Sequence, residues 1–129
     1  MAFEFNNYAV KISRVAGADL SALQYTFVKM STTDLVVTCS AATDIPLGVL
    51  QNAPTAGQEA EVLIIGGTKL VAGVTVAIGD QLGVTSAAKA SVVTTSDTTK
   101  YVLGTAISGG ASSDVITAVI NCAGPTRAV

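Results

Sequence analysis

The sequence predicts an all-β fold: a small β-barrel or β-sandwich-like domain that is built from two quasi-repeated β units and carries an extended N-terminal arm. Short segments with an apolar residue at every second position recur along the chain, and Gly, Pro, Asn and Asp turns separate them. No segment has the length and periodicity of a long helix. Since 129 residues suffice for one core but not for two ordinary domains, we expect an arm over residues 1–15 and a single β domain over residues 16–129.

The arm is the first element. Three of the six aromatic residues lie in the first eight positions, and residues 8–14 then alternate as in a strand. Chain termini are ordered mainly where something holds them in place. An aromatic arm is therefore a candidate for contacting a partner, with an ordinary first strand of the domain as the alternative. The candidate contact residues are Phe3, Phe5, Tyr8, Val10 and Ile12.

The β domain follows as a series of short strands and turns. Residues 16–23 are too few for an independent helix and predict a turn or a single helical turn. The remaining elements are strands at 24–30, 35–38, 47–50 and 59–65, a loop at 53–57, a turn at Gly66-Gly67, a return strand at 69–72, a turn at Gly79-Asp80 and a further strand at 82–84. This spacing is typical of a β-barrel or sandwich.

The second half of the chain resembles the first half. When the chain is aligned with itself so that position 24 lies over position 80, the segment 24–51 matches 80–107 without a gap, and eight of the 28 aligned positions are identical. The identical positions include Leu47-Gly48, which match Leu103-Gly104. We therefore predict quasi-repeats over about 24–66 and 80–121, with the Gly79-Asp80 turn opening the second unit.

Composition predicts a protein that is part of an assembly. Half of the residues are hydrophobic, only 12% are charged against roughly 25% in a typical soluble domain, and the mean hydropathy is +0.57. Permanent interfaces are depleted in charge, so we expect a homo-oligomer or a protein docked on a larger structure.

Charge and hydropathy also exclude several partners. The formal net charge of −2 and the seven scattered Lys and Arg residues argue against nucleic-acid binding. No apolar run reaches the roughly 20 residues needed to cross a bilayer, so we expect no membrane partner. The N-terminal residues do not resemble a signal peptide, and we therefore expect synthesis in a cytoplasm.

Few residues are suited to catalysis or metal binding, and we predict no enzyme, no metal and no cofactor. The chain has no histidine, which excludes Ser-His-Asp catalysis and nearly all the usual zinc sites. Glu59 and Glu61 share a strand face, but beside a loop this pattern is more typical of a solvated edge than of an acid–base pair. The glycine pairs at 66–67 and 109–110 lack the phosphate-binding fingerprint and indicate turns.

Two further features have a structural and a chemical interpretation. Cys39 and Cys122 are expected to be buried free thiols, with a disulfide as the alternative that spacing alone does not decide. The Val28-Lys29-Met30 segment is similar to the Met-Lys-Met turn of biotin carrier domains, which also have two related halves. Lys29 lies inside an alternating strand, however, and not at the hairpin tip that a carrier requires.

The order of short motifs resembles that of a known family. The motifs are Leu-Gly-Val at 47–49, an Ala/Gly loop at 53–57, a Val-rich strand at 62–65, Ile-Gly-Asp-Gln-Leu at 78–82, Leu-Gly-Thr-Ala at 103–106 and Asp-Val at 114–115. In this order they are similar to the small head decoration proteins of tailed bacteriophages, also called capsid cement proteins. The resemblance covers roughly residues 20–121, and the N-terminal arm is the part that matches least.

This resemblance implies a structural protein of the virion. Such proteins bind the outer face of an expanded icosahedral shell, commonly as trimers, and bridge neighbouring subunits of the major capsid protein. We therefore expect a non-catalytic homotrimer on the outer capsid face, whose arm could add a strand to a sheet edge of the capsid protein. The alternatives are another phage structural part, such as a head fibre base or a host-surface binding module, and, with less support, a biotin- or lipoyl-type carrier domain.

Overall fold

The structure, a computed structural model, describes residues 9–127, and these residues contain strands and turns but no helix. The strands are β1 (Val10–Val15), β2 (Phe27–Met30), β3 (Val36–Thr38), β4 (Gly48–Leu50), β5 (Glu59–Val71), β6 (Gln81–Val84), β7 (Ala90–Val92), β8 (Tyr101–Val102), β9 (Gly104–Ala106), β10 (Val115–Asn121) and β11 (Thr126–Arg127). The predicted all-β fold class is confirmed.

One curled antiparallel sheet contains nearly all of these strands. Its order is β3-β2-β4-β5-β10-β9-β6-β7, and β1 pairs with β5 outside this path. The short strands β8 and β11 form a separate two-stranded sheet. The sheet consists of two halves with the same strand order: β3-β2-β4-β5 on one side pairs in the same sequence as β7-β6-β9-β10 on the other.

Strand β5 is the central element of the sheet and runs through the Gly66-Gly67 pair. The prediction of a turn at these two glycines is wrong, since both lie inside β5 and pair with Ile120 and Val119 of β10. Gly66 has a φ of 137°, a backbone conformation that residues other than glycine rarely adopt. The glycine therefore allows the strand to bend without ending.

The pairing registers divide the chain into two equivalent units. We define unit 1 as residues 10–65 and unit 2 as residues 66–121, so that β5 supplies the last strand of unit 1 and the first strand of unit 2. The offset that places position 24 over position 80 relates the following pairs: Ile12–Val62 to Thr68–Ala118, Val15–Glu59 to Val71–Val115, and Val49–Leu63 to Thr105–Val119. Each unit thus begins with a strand that the predicted repeats did not include, and the second unit opens inside β5 and not at Gly79-Asp80.

The second and third strands of the two units are related by a slightly shorter offset. Val28–Thr38 corresponds to Leu82–Val92, which places position 28 over position 82 and not over position 84. The ungapped alignment predicted from the sequence is therefore wrong between β2 and β3. Two compensating connection lengths are the reason. The segment 72–80, which precedes β6, is shorter by two positions than 16–26, which precedes β2, and the segment 93–103, which connects β7 to β9, is longer by two positions than 39–47, which connects β3 to β4.

The two units also share their interior. Seven buried side chains form the core of unit 1, and the side chain at each equivalent position of unit 2 is buried as well. The equivalent pairs are Ala16/Ala72, Leu20/Val76, Val28/Leu82, Val36/Ala90, Leu50/Ala106, Ala60/Ile116 and Val62/Ala118. Unit 2 has the larger cluster, because side chains from the opposite face of the unit 1 sheet pack into it.

Candidate interaction surfaces

One row of side chains differs in exposure between the two units. In unit 1, Phe27, Val49 and Leu63 lie side by side on adjacent strands, and all three are buried. The equivalent row of unit 2 is exposed and consists of Gln81, Thr105 and Val119. These residues lie on the sheet face opposite to the unit interior, since they alternate with interior residues. Unit 2 covers this face of unit 1, and nothing in residues 9–127 covers it on unit 2.

Segment 25–27 of unit 1 is one of the parts that contact unit 2. The Val71 backbone N–H donates to the Tyr25 carbonyl at 2.9 Å, and the Phe27 N–H donates to the Ala88 carbonyl at 2.8 Å. The Lys69 ammonium lies 5.6 Å from the centre of the Tyr25 ring, a distance at which a cation is attracted to an aromatic face. Phe27 belongs to the same buried cluster as Leu70 and Ala88.

An open groove in unit 1 has the same position as this contact in unit 2. The groove has a volume of about 350 Å³ and is lined by Ser13, Arg14, Val15, Thr33, Asp34, Leu35 and Glu59. Four of these residues are equivalent to residues of unit 2 that contact segment 25–27. Ser13 corresponds to Lys69, Arg14 to Leu70, Val15 to Val71 and Asp34 to Ala88. Arg14 and Asp34 are charged where their counterparts Leu70 and Ala88 are apolar, and an ion pair joins Arg14 to Asp34.

A second depression in unit 1 has a mainly apolar lining. It has a volume of about 490 Å³ and is lined by Lys29, Met30, Ile45, Pro46, Leu47, Ile64, Cys122 and Ala123. Ile45 at its rim is 54% exposed. Exposed apolar side chains grouped at a depression are typical of a contact surface.

The structure places the predicted contact residues as follows. Phe3, Phe5 and Tyr8 lie outside the described residues. Val10 and Ile12 lie in β1, where Val10 pairs with Ile65 and is exposed, while Ile12 is half-buried and packs against the core of unit 1. The capsid-contact role of these five residues stays a prediction.

Several acidic and basic side chains have structural partners. The Lys29 ammonium contacts the Asp44 carboxylate at 3.0 Å, and Lys11 contacts Glu61 at 3.1 Å. The backbone N–H of Ser40 and the Lys29 side chain hold the pKa of Asp44 below its ordinary value of 3.8. Within residues 9–127, no three His, Cys, Asp or Glu side chains lie close enough together to hold a metal ion.

The two cysteines are buried free thiols, as the sequence predicts. Burial raises the pKa of both Cys39 and Cys122 to about 12, so neither thiol ionises near neutral pH. Among the residues that the structure describes, there is also no helix that could span a membrane.

Comparison with known proteins identifies a relative in fold. No protein-family model matches the chain, and no curated protein matches it in sequence. A solved structure described as the head fiber gp8.5 N base of bacteriophage phi29 superposes with a TM-score of 0.68 at 20% sequence identity. The match covers 88% of this chain and 95% of that chain. The two proteins therefore share a fold over most of both chains.

The sequence did not reveal the exposed row or the groove. The missed signal is a short repeat, since Val15-Ala16-Gly17 recurs as Val71-Ala72-Gly73 at the same offset as Leu47-Gly48 and Leu103-Gly104. It would have extended the repeat to β1 and identified the start of unit 2.

Proposed function

We propose that this protein is a structural component of a tailed-phage head that binds the outer surface of the capsid as a decoration protein. The observation that carries the proposal is the fold shared with a phage head fibre base, over nearly all of both chains. The order of glycine motifs, which resembles that of capsid decoration proteins, points to the same part of a virion. The proposal includes the absence of catalysis, since the acidic and basic groups described above serve turns and ion pairs.

The proposed capsid-facing surface combines the N-terminal arm with the apolar depression. The arm enters the fold at Val10, which pairs with Ile65, and the neighbouring Ile64 lines the depression. The Cys122 N–H donates to the Ile64 carbonyl, so the residues that follow β10 also line the depression. We propose that a partner bound at Val10 also contacts the exposed side chain of Ile45. Many identical contacts that form only on the assembled shell stabilise it by mass action.

A second candidate function is the base of a head fibre. The phi29 structure that shares the fold is that of a head fibre base, and this observation favours the candidate directly. A fibre base must hold the capsid and present a further part outwards, whereas a decoration protein must bridge capsid subunits. The two functions therefore differ in their effect on the shell.

Co-sedimentation with expanded, undecorated capsids of the matching phage tests the proposal. We expect binding at a fixed stoichiometry and at least about tenfold weaker binding for Ile45→Asp, because a charge in an apolar contact has to be desolvated. Removing residues 1–8, which leaves β1 intact, is expected to weaken binding as well. The matched control is Val74→Asp, at an exposed apolar position outside the depression. Absence of co-sedimentation by the unaltered protein would contradict the capsid role.

Shell stability distinguishes the two candidates. Saturating amounts of a decoration protein raise the temperature at which the capsid opens. A fibre base is expected to bind without this increase and to affect adsorption to host cells. Binding to capsids with no change in the opening temperature would therefore favour the fibre base.

A further inference from the structure

We infer that the exposed row of unit 2 in one copy of the protein docks into the open groove of unit 1 in a second copy. The docking surface comprises segment 79–81 together with Thr105 and Val119. The inference follows from the internal repeat: segment 25–27 occupies a site on unit 2, and the equivalent site on unit 1 is the open groove. The equivalent of segment 25–27 is segment 79–81, as the shared hydrogen bonds Tyr25 N–H to Leu50 and Gly79 N–H to Ala106 show.

The backbone geometry of the occupied site is reproduced at the open one. Tyr25 and Gly79 both have positive φ, at 64° and 88°, so both segments turn in the same way before they reach the sheet. The occupied site uses the Val71 N–H as a donor, and the equivalent donor is the N–H of Val15. Val15 lines the groove, and none of the hydrogen bonds outside the strand pairs of residues 9–127 uses its N–H.

The side chains of the proposed contact are matched in polarity. In the occupied site, the apolar Phe27 meets Leu70 and Ala88. In the proposed site, Gln81 takes the place of Phe27 and meets Arg14 and Asp34. A Gln amide can accept a hydrogen bond from a guanidinium and donate one to a carboxylate. Both sides of the contact therefore change from apolar to polar together.

The exposed surface of unit 2 has an apolar component that a second copy would cover. Ile78 is 75% exposed, and Val115 and Val119 are also exposed. Ile78 immediately precedes segment 79–81, and Val119 is the last residue of the row. Partly polar interfaces with apolar residues at their centre are typical of subunit contacts.

The contact joins two different surfaces, so every copy both donates and receives a docking segment. Contacts of this kind generate closed rings when the rotation between copies closes, and open filaments when it does not. A ring of three copies, the number that the resemblance to decoration proteins implies, would place six equivalent units around one axis. The inference rests on the internal repeat and not on capsid binding, so a failure to bind capsids leaves it intact.

Cross-linking between two variants that each carry one added, exposed cysteine tests the contact. Arg14→Cys and Gln81→Cys are prepared separately, purified, mixed and treated with a short bifunctional maleimide. The native Cys39 and Cys122 are buried and do not interfere. We expect covalent dimers from the mixture and at most traces from either variant alone. Dimers of Gln81→Cys alone would show a symmetric contact through unit 2 and overturn the proposal, as would a monomeric unaltered protein.

Measuring the self-association of variants with a changed exposed residue tests the contact without cross-linking. Thr105→Arg is expected to weaken association about tenfold or more, because it places a charge at the centre of the row. The control, Thr95→Arg, lies in the exposed part of the loop 93–103 and is expected to associate as the unaltered protein does. Thermal unfolding of both variants checks that they fold. Equal association of folded Thr105→Arg and Thr95→Arg would overturn the proposal.

A transplant of the occupied site tests the polarity match. Arg14→Leu, Asp34→Ala and Gln81→Phe together copy the side chains of the occupied site and of segment 25–27 into the proposed contact. We expect the triple variant to associate at least as tightly as the unaltered protein, whereas Gln81→Phe alone is expected to associate about tenfold more weakly, because it leaves the ion pair facing an apolar ring. Weaker association of the triple variant than of Gln81→Phe would contradict the inference.

Discussion

Units 1 and 2 have the same strand order, the same interior positions and the same turn between their second and third strands. Within residues 9–127, however, only the sheet of unit 1 has both faces covered. The three positions of the exposed row show how the sequence encodes this difference. Phe27, Val49 and Leu63 supply a wholly apolar row in unit 1, whereas two of their three equivalents in unit 2 are the polar Gln81 and Thr105. The same sheet face is therefore buried within the chain in unit 1 and, within residues 9–127, exposed in unit 2.

The turns show which features both units keep. The Ser31 hydroxyl accepts the backbone N–H of Leu35 at 3.2 Å, and the Thr85 hydroxyl accepts that of Lys89 at 3.1 Å. In each unit the third residue after the hydroxyl, Asp34 or Ala88, has a φ of 65°. The side chains differ but the hydrogen bonds do not. The units are thus held to one backbone geometry, while their outer faces differ in polarity.

The largest expected effect separates the covered row from the exposed one. Phe27→Ala is expected to lower the free energy of unfolding by about 3–5 kcal/mol, because it leaves a cavity at a buried aromatic position. The equivalent change, Gln81→Ala, is expected to alter it by about 0.5 kcal/mol or less. Urea unfolding at low protein concentration measures both, since self-association adds stability by mass action. Similar losses for the two variants would mean that the row of unit 2 is covered after all.

A smaller effect is expected where the two units are the same. Gly48 and Gly104 are equivalent, and a Cβ at either would lie 2.2 Å from a backbone oxygen of the next strand, that of Leu63 or Val119. Ala at either position is therefore expected to cost about 1–3 kcal/mol, because the strands must move apart. Gly124→Ala is the control, since a Cβ there meets open space. If only one of the two glycines tolerates Ala, the equivalence of these strands does not hold.

The sequence predicted the fold class from local patterns but not the arrangement of the repeat. Alternation and turn residues identify β2, β3 and β4, because these strands are short and end at polar turns. The Gly66-Gly67 pair is compatible with a turn or with a bend inside a strand, and only its pairing with β10 decides between them. The exposed row was not predictable from the ungapped alignment, which placed Phe27 opposite Gly83 and so did not align it with Gln81.

A modest pH effect is expected from the loops that join the third and fourth sheet strands of each unit. Asp44 accepts the Ser40 N–H at 2.8 Å in unit 1, and Asp97 accepts the Thr94 N–H at 2.8 Å in unit 2. These bonds hold the pKa of both carboxyls below 3.8. Their contribution to stability is therefore present above about pH 4 and is lost as the pH falls through the lower folded-state pKa.

The Asp44 loop is expected to show the larger part of this pH effect. Asp44 also contacts Lys29 at 3.0 Å and its side chain is 19% exposed, so Asp44→Asn is expected to cost about 1 kcal/mol at pH 7. The measurement is the unfolding free energy of the unaltered protein and of the variant between pH 3 and pH 7, where the two curves should converge towards the acid end. A difference that does not change with pH would show that the bonds do not depend on the carboxylate charge.

The smallest expected effect concerns Cys39, whose equivalent in unit 2 is Val93. The pairing is fixed by matching hydrogen bonds, because the Cys39 N–H donates to the Phe27 carbonyl as the Val93 N–H donates to that of Gln81. Since both side chains are apolar, small and buried, Cys39→Val is expected to change the free energy of unfolding by less than about 1 kcal/mol.

Thiol labelling supplies the second measurement. Because burial raises the pKa of Cys39 to about 12, the thiol is expected to react with iodoacetamide at pH 8 only through unfolding. Labelling of the native protein at the rate of an exposed thiol would show that unit 1 unfolds locally around Cys39. Unit 1 would then be the less tightly packed unit, although both faces of its sheet are covered.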